Sequence, residues 1–112
     1  MKADDYQNEA LRTANLHQYS LETRLANWAL GLSGESGEVS DEIKKIVFHK
    51  HSLDRQKLAK ELGDVQWYIA TCAKDLGFNL SEIMELNVEK LRARYPDGFS
   101  PEKSKNRDGV EL

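Results

Sequence analysis

The chain has 112 residues, enough for one ordinary domain with a single core and too few for two. Apolar residues make up 39% and charged residues 31%, so the protomer core should be thin, and association as a homo-oligomer is expected. A net charge of −3 argues against a nucleic-acid polymer as partner.

No apolar run reaches the length of a membrane span, and Met1–Ala10 lacks the pattern of a secretory signal. A single cysteine, Cys72, fits a reducing compartment and reads as a small core residue on a helix. A cytoplasmic protein with no membrane partner is therefore expected.

Taken in chain order, Asp4 or Asp5 can cap a first helix running to about Leu16. Ser20 can cap a long second helix from Leu21 to about His49, followed by a connector, His49–Asp54. Asp54 can cap a third helix that runs to Leu76, with Gly77 as its C-terminal stop. Ser81 can cap a fourth, ending at Tyr95 because Pro96 disfavours helix in the residue before it. With no strand-like alternation and no internal repeat, the expectation is an all-α, four-helix-bundle-like domain over residues 1–96. From Asp97 onward the sequence is polar, with Gly98, Pro101 and Gly109, and reads as a tail over 97–112 loosely draped on the domain. Phe99 is its one large apolar anchor.

Two apolar stripes stand out. Leu58, Leu62, Val65, Ile69, Cys72 and Leu76 recur at steps of four and three on the third helix, and Leu25, Trp28, Leu32, Val39, Ile43 and Ile46 do so on the second. Both faces are expected to pack against neighbouring helices.

Glu35 and Glu38 lie three apart on the second helix, and Glu61 and Asp64 lie three apart on the third. At about 100° per residue, Glu35 falls among Trp28, Val39 and Ile46, and Glu61 and Asp64 flank Val65, Tyr68 and Cys72, so the acids border the inward faces. In an antiparallel hairpin, opposed positions have a constant sum of residue numbers. Glu35 with Asp64 and Glu38 with Glu61 share one such sum, and the implied midpoint falls at His49–Lys50, inside the connector. Four converging carboxylates repel one another and lose hydration unless they share cations. All-oxygen ligation selects a hard ion, Mg²⁺ with Mn²⁺ as a substitute.

Glu42 also lies near the inward face and can be an outer partner of the site, a base, or the ion-pair mate of Lys57. His17, His49 and His51 do not follow a glutamate at the spacing a di-iron bundle needs, nor do they form a zinc pattern. Gly31, Gly34 and Gly37 lack a phosphate-loop context and read as places of close helix approach.

Carboxylate-held metal with water in its shell suits attack on phosphorus. Asn87, Lys90 and Arg94 share one polar face of the fourth helix and Lys45 lies two turns beyond Glu38, so these can contact phosphates or can simply be solvated. Among Trp28, Trp67, Tyr68 and Tyr19, more often core than ligand, Tyr68 is the preferred base contact.

The segments NWALGLSGESGEVSDEIKKIVFH, KELGDVQWYIA and NVEKLRARYPDGFS resemble the MazG-like all-alpha nucleotide pyrophosphohydrolases, in a short single-domain form. The resemblance rests on ExxE at Glu35/Glu38, ExxD at Glu61/Asp64 and NxxK at Asn87/Lys90. It implies Mg²⁺ held by the four acids, with Glu35 and Glu38 the candidates for water activation. It implies hydrolysis of nucleoside or deoxynucleoside triphosphates between the α and β phosphates to monophosphate and pyrophosphate, in nucleotide-pool control. It also implies dimers or tetramers, and substrate contacts at Asn87, Lys90 and Tyr68, with Lys45 and Arg94 as weaker correspondences. The alternatives left open are a non-catalytic helical interaction module, and the same chemistry on an alarmone or another nucleotide.

Overall fold

The computed structural model describes residues 1–106, and every regular element among them is helical: α1 Ala3–Leu11, α2 Leu21–Phe48, α3 Arg55–Asp75, α4 Leu80–Arg94 and α5 Pro101–Lys105. The all-α expectation holds. The caps of the long pair follow the sequence: Ser20 Oγ accepts from Thr23 N at 3.2 Å, and Asp54 Oδ1 accepts from Lys57 N at 3.0 Å. Each satisfies one donor that the first turn of a helix leaves without a partner. The end of α3 also follows it. Gly77 takes φ +87, which costs a residue without Cβ nothing, and lets Phe78 N return to Ala73 O at 2.9 Å.

The shorter helices depart from the expectation. α1 stops at Leu11 rather than near Leu16, because the carbonyl of Ala10 is taken by Thr13 Oγ1 (2.9 Å) and Trp67 Nε1 (3.1 Å). Neither Asp4 nor Asp5 caps α1, whose N-cap is Lys2. Asp4 serves α4 instead, accepting from Ser81 N at 2.9 Å and Ser81 Oγ at 2.8 Å. Ser81 is therefore inside α4 and not its cap. Asn79 holds that position, its N–H donating to Glu82 Oε1 at 3.0 Å. A carboxylate from a distant helix at the positive end of α4 does what the local serine was expected to do.

α2 and α3 form the antiparallel hairpin that is the frame of the molecule. Arg24 meets Asp75, Gly31 meets the Tyr68 ring and Glu42 meets Lys57. Each of these pairs has residue numbers adding to the same total as Glu35 with Asp64, so the register expected from the acids runs the length of the seam. α1 and the start of α4 pack on the other side of α3, around Ala10, Ala70 and Leu80, with Tyr6 and Trp67 at the margin. Gln7, buried in this joint, donates to Ala70 O and Phe78 O and accepts from Leu80 N, tying three helices with one side chain.

That arrangement corrects the expected packing of the apolar stripes. α3 turns Trp67, Ala70, Thr71 and Ala73 inward, while Leu62 (57% exposed), Ile69 and Leu76 (56%) face outward, as does Ile43 of α2. The cause is geometric: the contacts with α1 and α2 use two sides of α3, and the leucine stripe occupies a third. Cys72, on the edge of this stripe, is half-buried.

In the tail, Ser100 caps α5, and the Phe99 ring lies 5.4 Å from that of Tyr95. Phe99 is nonetheless 75% exposed and anchors little. Gly109 and the rest of the expected tail beyond 106 fall outside the described residues.

Candidate metal and substrate site

The four acids sit along the middle of the α2–α3 seam, because two ExxE-type pairs on antiparallel helices in this register bring one turn of each against the other. Glu35 and Glu61 are half-buried, and each has its Oε2 withdrawn from solvent with no hydrogen-bond partner. Glu38 and Asp64 are more exposed. Burial raises the Glu35 carboxyl above its usual range, and the neighbouring charges of Glu38, Asp64 and Glu61 raise it further. The other three acids thus all act on Glu35.

Two open clefts flank the acids. One, of about 380 Å³, is lined by Gly34, Gly37, Glu38, Asp41, Glu42 and Glu61. The other, of about 370 Å³, is lined by Thr13, Glu35, Asp64, Trp67 and Tyr68. The first is acidic; the second has an aromatic wall. Trp67 is held there by its Nε1 donating to Ala10 O and Thr13 Oγ1, and it meets Tyr68 edge-on at 4.9 Å. The Tyr68 ring rests directly on Gly31, where a Cβ would collide with it. Gly31 is a place of close approach, as expected. Gly34 and Gly37 are not: nothing lies within 4 Å of where their Cβ atoms would stand, and they open the acidic cleft instead.

The other candidates are dispersed. Lys45 is engaged by Asp41 at 3.0 Å on the rim of the acidic cleft, and this hydrogen bond raises its pKa. Glu42 accepts from Lys57 Nζ at 2.8 Å, so the expected ion pair is present, and Glu42 also lines the acidic cleft. Asn87 and Lys90 are exposed on α4, and neither lines these clefts. Arg94 is 8% exposed, its guanidinium 5.4 Å from the centre of the Tyr95 ring. Of the remaining aromatics, Trp28 is core, its Nε1 donating to Asp75, and Tyr19 is exposed.

Sequence reasoning missed Thr13 and Asp41 as lining residues, and named Trp67 only among the aromatics that could meet a base. Asp41 could have been found, since it follows Glu38 by three on the same helix. Thr13 could not, because it reaches the cleft only through the way α1 docks. Tyr6, also on α1, has its phenol pKa raised by burial and, to a lesser extent, by the charge of Asp64.

Among the described residues, no three histidine, cysteine or acidic side chains are already arranged to hold a metal ion. The chemistry of the donors fits one all the same. Two carboxylate oxygens are shut away without partners among acids that repel each other, and a hard divalent cation satisfies both deficits.

Comparison with known proteins adds the decisive observation, a match of residues 24–99 to the model of the MazG nucleotide pyrophosphohydrolase domain. The chain belongs to this family. The matched span of this MazG chain holds all four acids together with Tyr68, Asn87 and Lys90. It is also similar to the Gene 37 protein of Mycobacterium phage L5, 38% identical over 82 residues that cover 70% of this chain and 72% of the phage protein. No solved structure matches it significantly.

Proposed function

We propose that this MazG chain hydrolyses nucleoside or deoxynucleoside triphosphates between the α and β phosphates, releasing monophosphate and pyrophosphate, in control of the nucleotide pool. The observation that carries the reading is the pair of solvent-excluded, unpartnered carboxylate oxygens on Glu35 of α2 and Glu61 of α3, on the two sides of a seam of four acids. Glu35, Glu38, Glu61 and Asp64 would hold Mg²⁺, or Mn²⁺ in its place. When bound, the ion supplies charge neutralisation to the triphosphate and polarises its phosphorus–oxygen bonds.

The protein's own part is to position water and nucleotide. Glu35 and Glu38 are the two candidates to accept the proton of the attacking water. As water oxygen bonds to the α phosphorus, its proton passes to one of these two glutamates and the bond from that phosphorus to the bridging oxygen breaks, with pyrophosphate leaving. Tyr68, with Trp67 and Thr13, offers the base a wall to stack on. Asn87, Lys90, Lys45 and Arg94 remain the candidates for phosphate contact. The reading includes a cytoplasmic location, an even-numbered assembly, and division into a catalytic domain over 1–96 with a tail; consistent with it, no helix among the described residues is long and apolar enough to cross a membrane.

Incubation with Mg²⁺ and a nucleotide panel, alarmones included, should yield pyrophosphate; release of orthophosphate alone would refute the bond assignment. Glu38→Gln and Asp64→Asn should each abolish turnover while leaving helicity intact. The exposed apolar stripe lends some support to the alternative, a non-catalytic interaction module. Calorimetric titration with Mg²⁺, with and without a nonhydrolysable nucleotide, decides between them, since a module should bind neither.

A further inference from the structure

The acid seam has a direction. Toward the connector it ends in two lysines, Lys45 held by Asp41 at 3.0 Å and Lys57 held by Glu42 at 2.8 Å. Toward Arg24 and Asp75 it gives way to the cleft walled by Thr13, Trp67 and Tyr68. A triphosphate whose reacting phosphorus sits at the acids therefore sends its outer phosphates toward the cations and its base into the aromatic cleft.

The polar groups of that cleft are almost all acceptors. The Trp67 indole N–H is already spent on Ala10 O (3.1 Å) and Thr13 Oγ1 (2.9 Å). The Thr13 hydroxyl has one proton, and it goes to Ala10 O at 2.9 Å. Of the two lone pairs on Oγ1, one takes the Trp67 N–H and one is left, so Thr13 meets a ligand as an acceptor. Turning its proton outward would give up the bond to Ala10. Glu35 and Asp64, which also line the cleft, are acceptors when ionised. The Tyr68 phenol donates or accepts as the ligand requires, so it discriminates little.

We propose that Thr13 selects the base: its hydroxyl accepts a hydrogen bond from an exocyclic amino group, so the chain favours nucleotides of adenine and cytosine over their oxo counterparts, hypoxanthine and uracil. This rests on the proposed triphosphate hydrolysis and deepens it by naming the substrate class. An oxo group in the same place sets acceptor against acceptor and leaves the Thr13 lone pair unused. The cleft, about 370 Å³ and open, takes a ring of either size, so the selection is by edge chemistry and not by bulk.

The test measures kcat/KM of the full chain with Mg²⁺ for two pairs that differ only at this edge, ATP against ITP and dCTP against dUTP. Wild type should favour the amino member of each pair by about tenfold, the order of one net hydrogen bond. Thr13→Val removes the hydroxyl at nearly constant shape and should bring both ratios close to one, whereas Thr13→Ser should keep them. A threonine that only steadied Trp67 would, on replacement by valine, slow all four nucleotides alike and leave the ratios unchanged. That result would overturn the proposal, as would equal kcat/KM within each pair in wild type. The ratios are read from nucleotide consumed, so cleavage at a different phosphate bond refutes the bond assignment and leaves this test intact. If no nucleotide is turned over, Kd ratios for the α,β-imido analogues, followed by tryptophan quenching, take their place with the same expectations. A chain that binds none of them overturns both readings, and one that binds the two members of a pair equally overturns this one alone.

Discussion

Replacing Asp75 by alanine removes the acceptor that fastens the open end of the hairpin. Asp75 accepts from one edge of the Arg24 guanidinium, Nε and Nη2 at 3.1 Å each, and from the Trp28 indole N–H at 2.6 Å, while Arg24 Nη1 donates to Tyr19 O. The side chains of Arg24 and Asp75 are only 18% and 8% exposed. Asp75→Ala strands a buried cation and a buried indole donor, so the expected loss is about 3–5 kcal/mol, the range for breaking one side of a buried pair. Replacing both partners, as in Arg24→Met with Asp75→Leu, should recover much of that loss, because no charge is then left unpaired.

Urea unfolding followed by tryptophan fluorescence and circular dichroism, at fixed protomer concentration, measures both. A loss under about 1 kcal/mol for Asp75→Ala, or a double variant as unstable as the two singles added, would refute the reasoning. The pH dependence has a definite sign. Burial pushes the Asp75 carboxyl up, but the Arg24 and Trp28 hydrogen bonds outweigh it and leave the pKa below the ordinary 3.8. A depressed carboxylate pKa stabilises the fold above the unfolded value and ceases to do so as pH falls through the folded one. The wild-type advantage over Asp75→Asn should therefore be full at neutral pH and shrink below pH 3.8.

Three further outcomes are expected. Gly31→Ala should cost about 1–3 kcal/mol by driving Tyr68 off its seat, whereas Gly34→Ala, with open space at its Cβ, should gain up to about 1 kcal/mol from helix propensity; thermal melts of the two variants should shift in opposite directions. Gln7→Leu leaves Phe78 O and Leu80 N without this partner and removes a second bond from Ala70 O in a buried joint, so it should destabilise by about 2 kcal/mol or more, with amide exchange rising first at the start of α4. Glu35→Gln should raise the melting temperature of the metal-free protein, since it removes one charge from four that repel, and should weaken the rise that added Mg²⁺ produces; an unchanged Mg²⁺ response would count against Glu35 as a ligand.

The sequence by itself determined the long helices, their caps at Ser20 and Asp54, the stop at Gly77 and the register of the hairpin. These depend on chemistry within a few residues or on a simple constraint between two antiparallel helices, and the spacing of the acids carried that constraint. Tertiary structure alone decided the rest. Asp4 caps α4 rather than α1, and Thr13 reaches the aromatic cleft, because α1 docks across α3, and nothing local records where a helix docks. The leucine stripe of α3 illustrates the same limit. Its periodicity identified it as a face that must be covered, but a helix has several sides. Only the placement of α1 and α2 showed that the protomer covers the others and leaves this one bare.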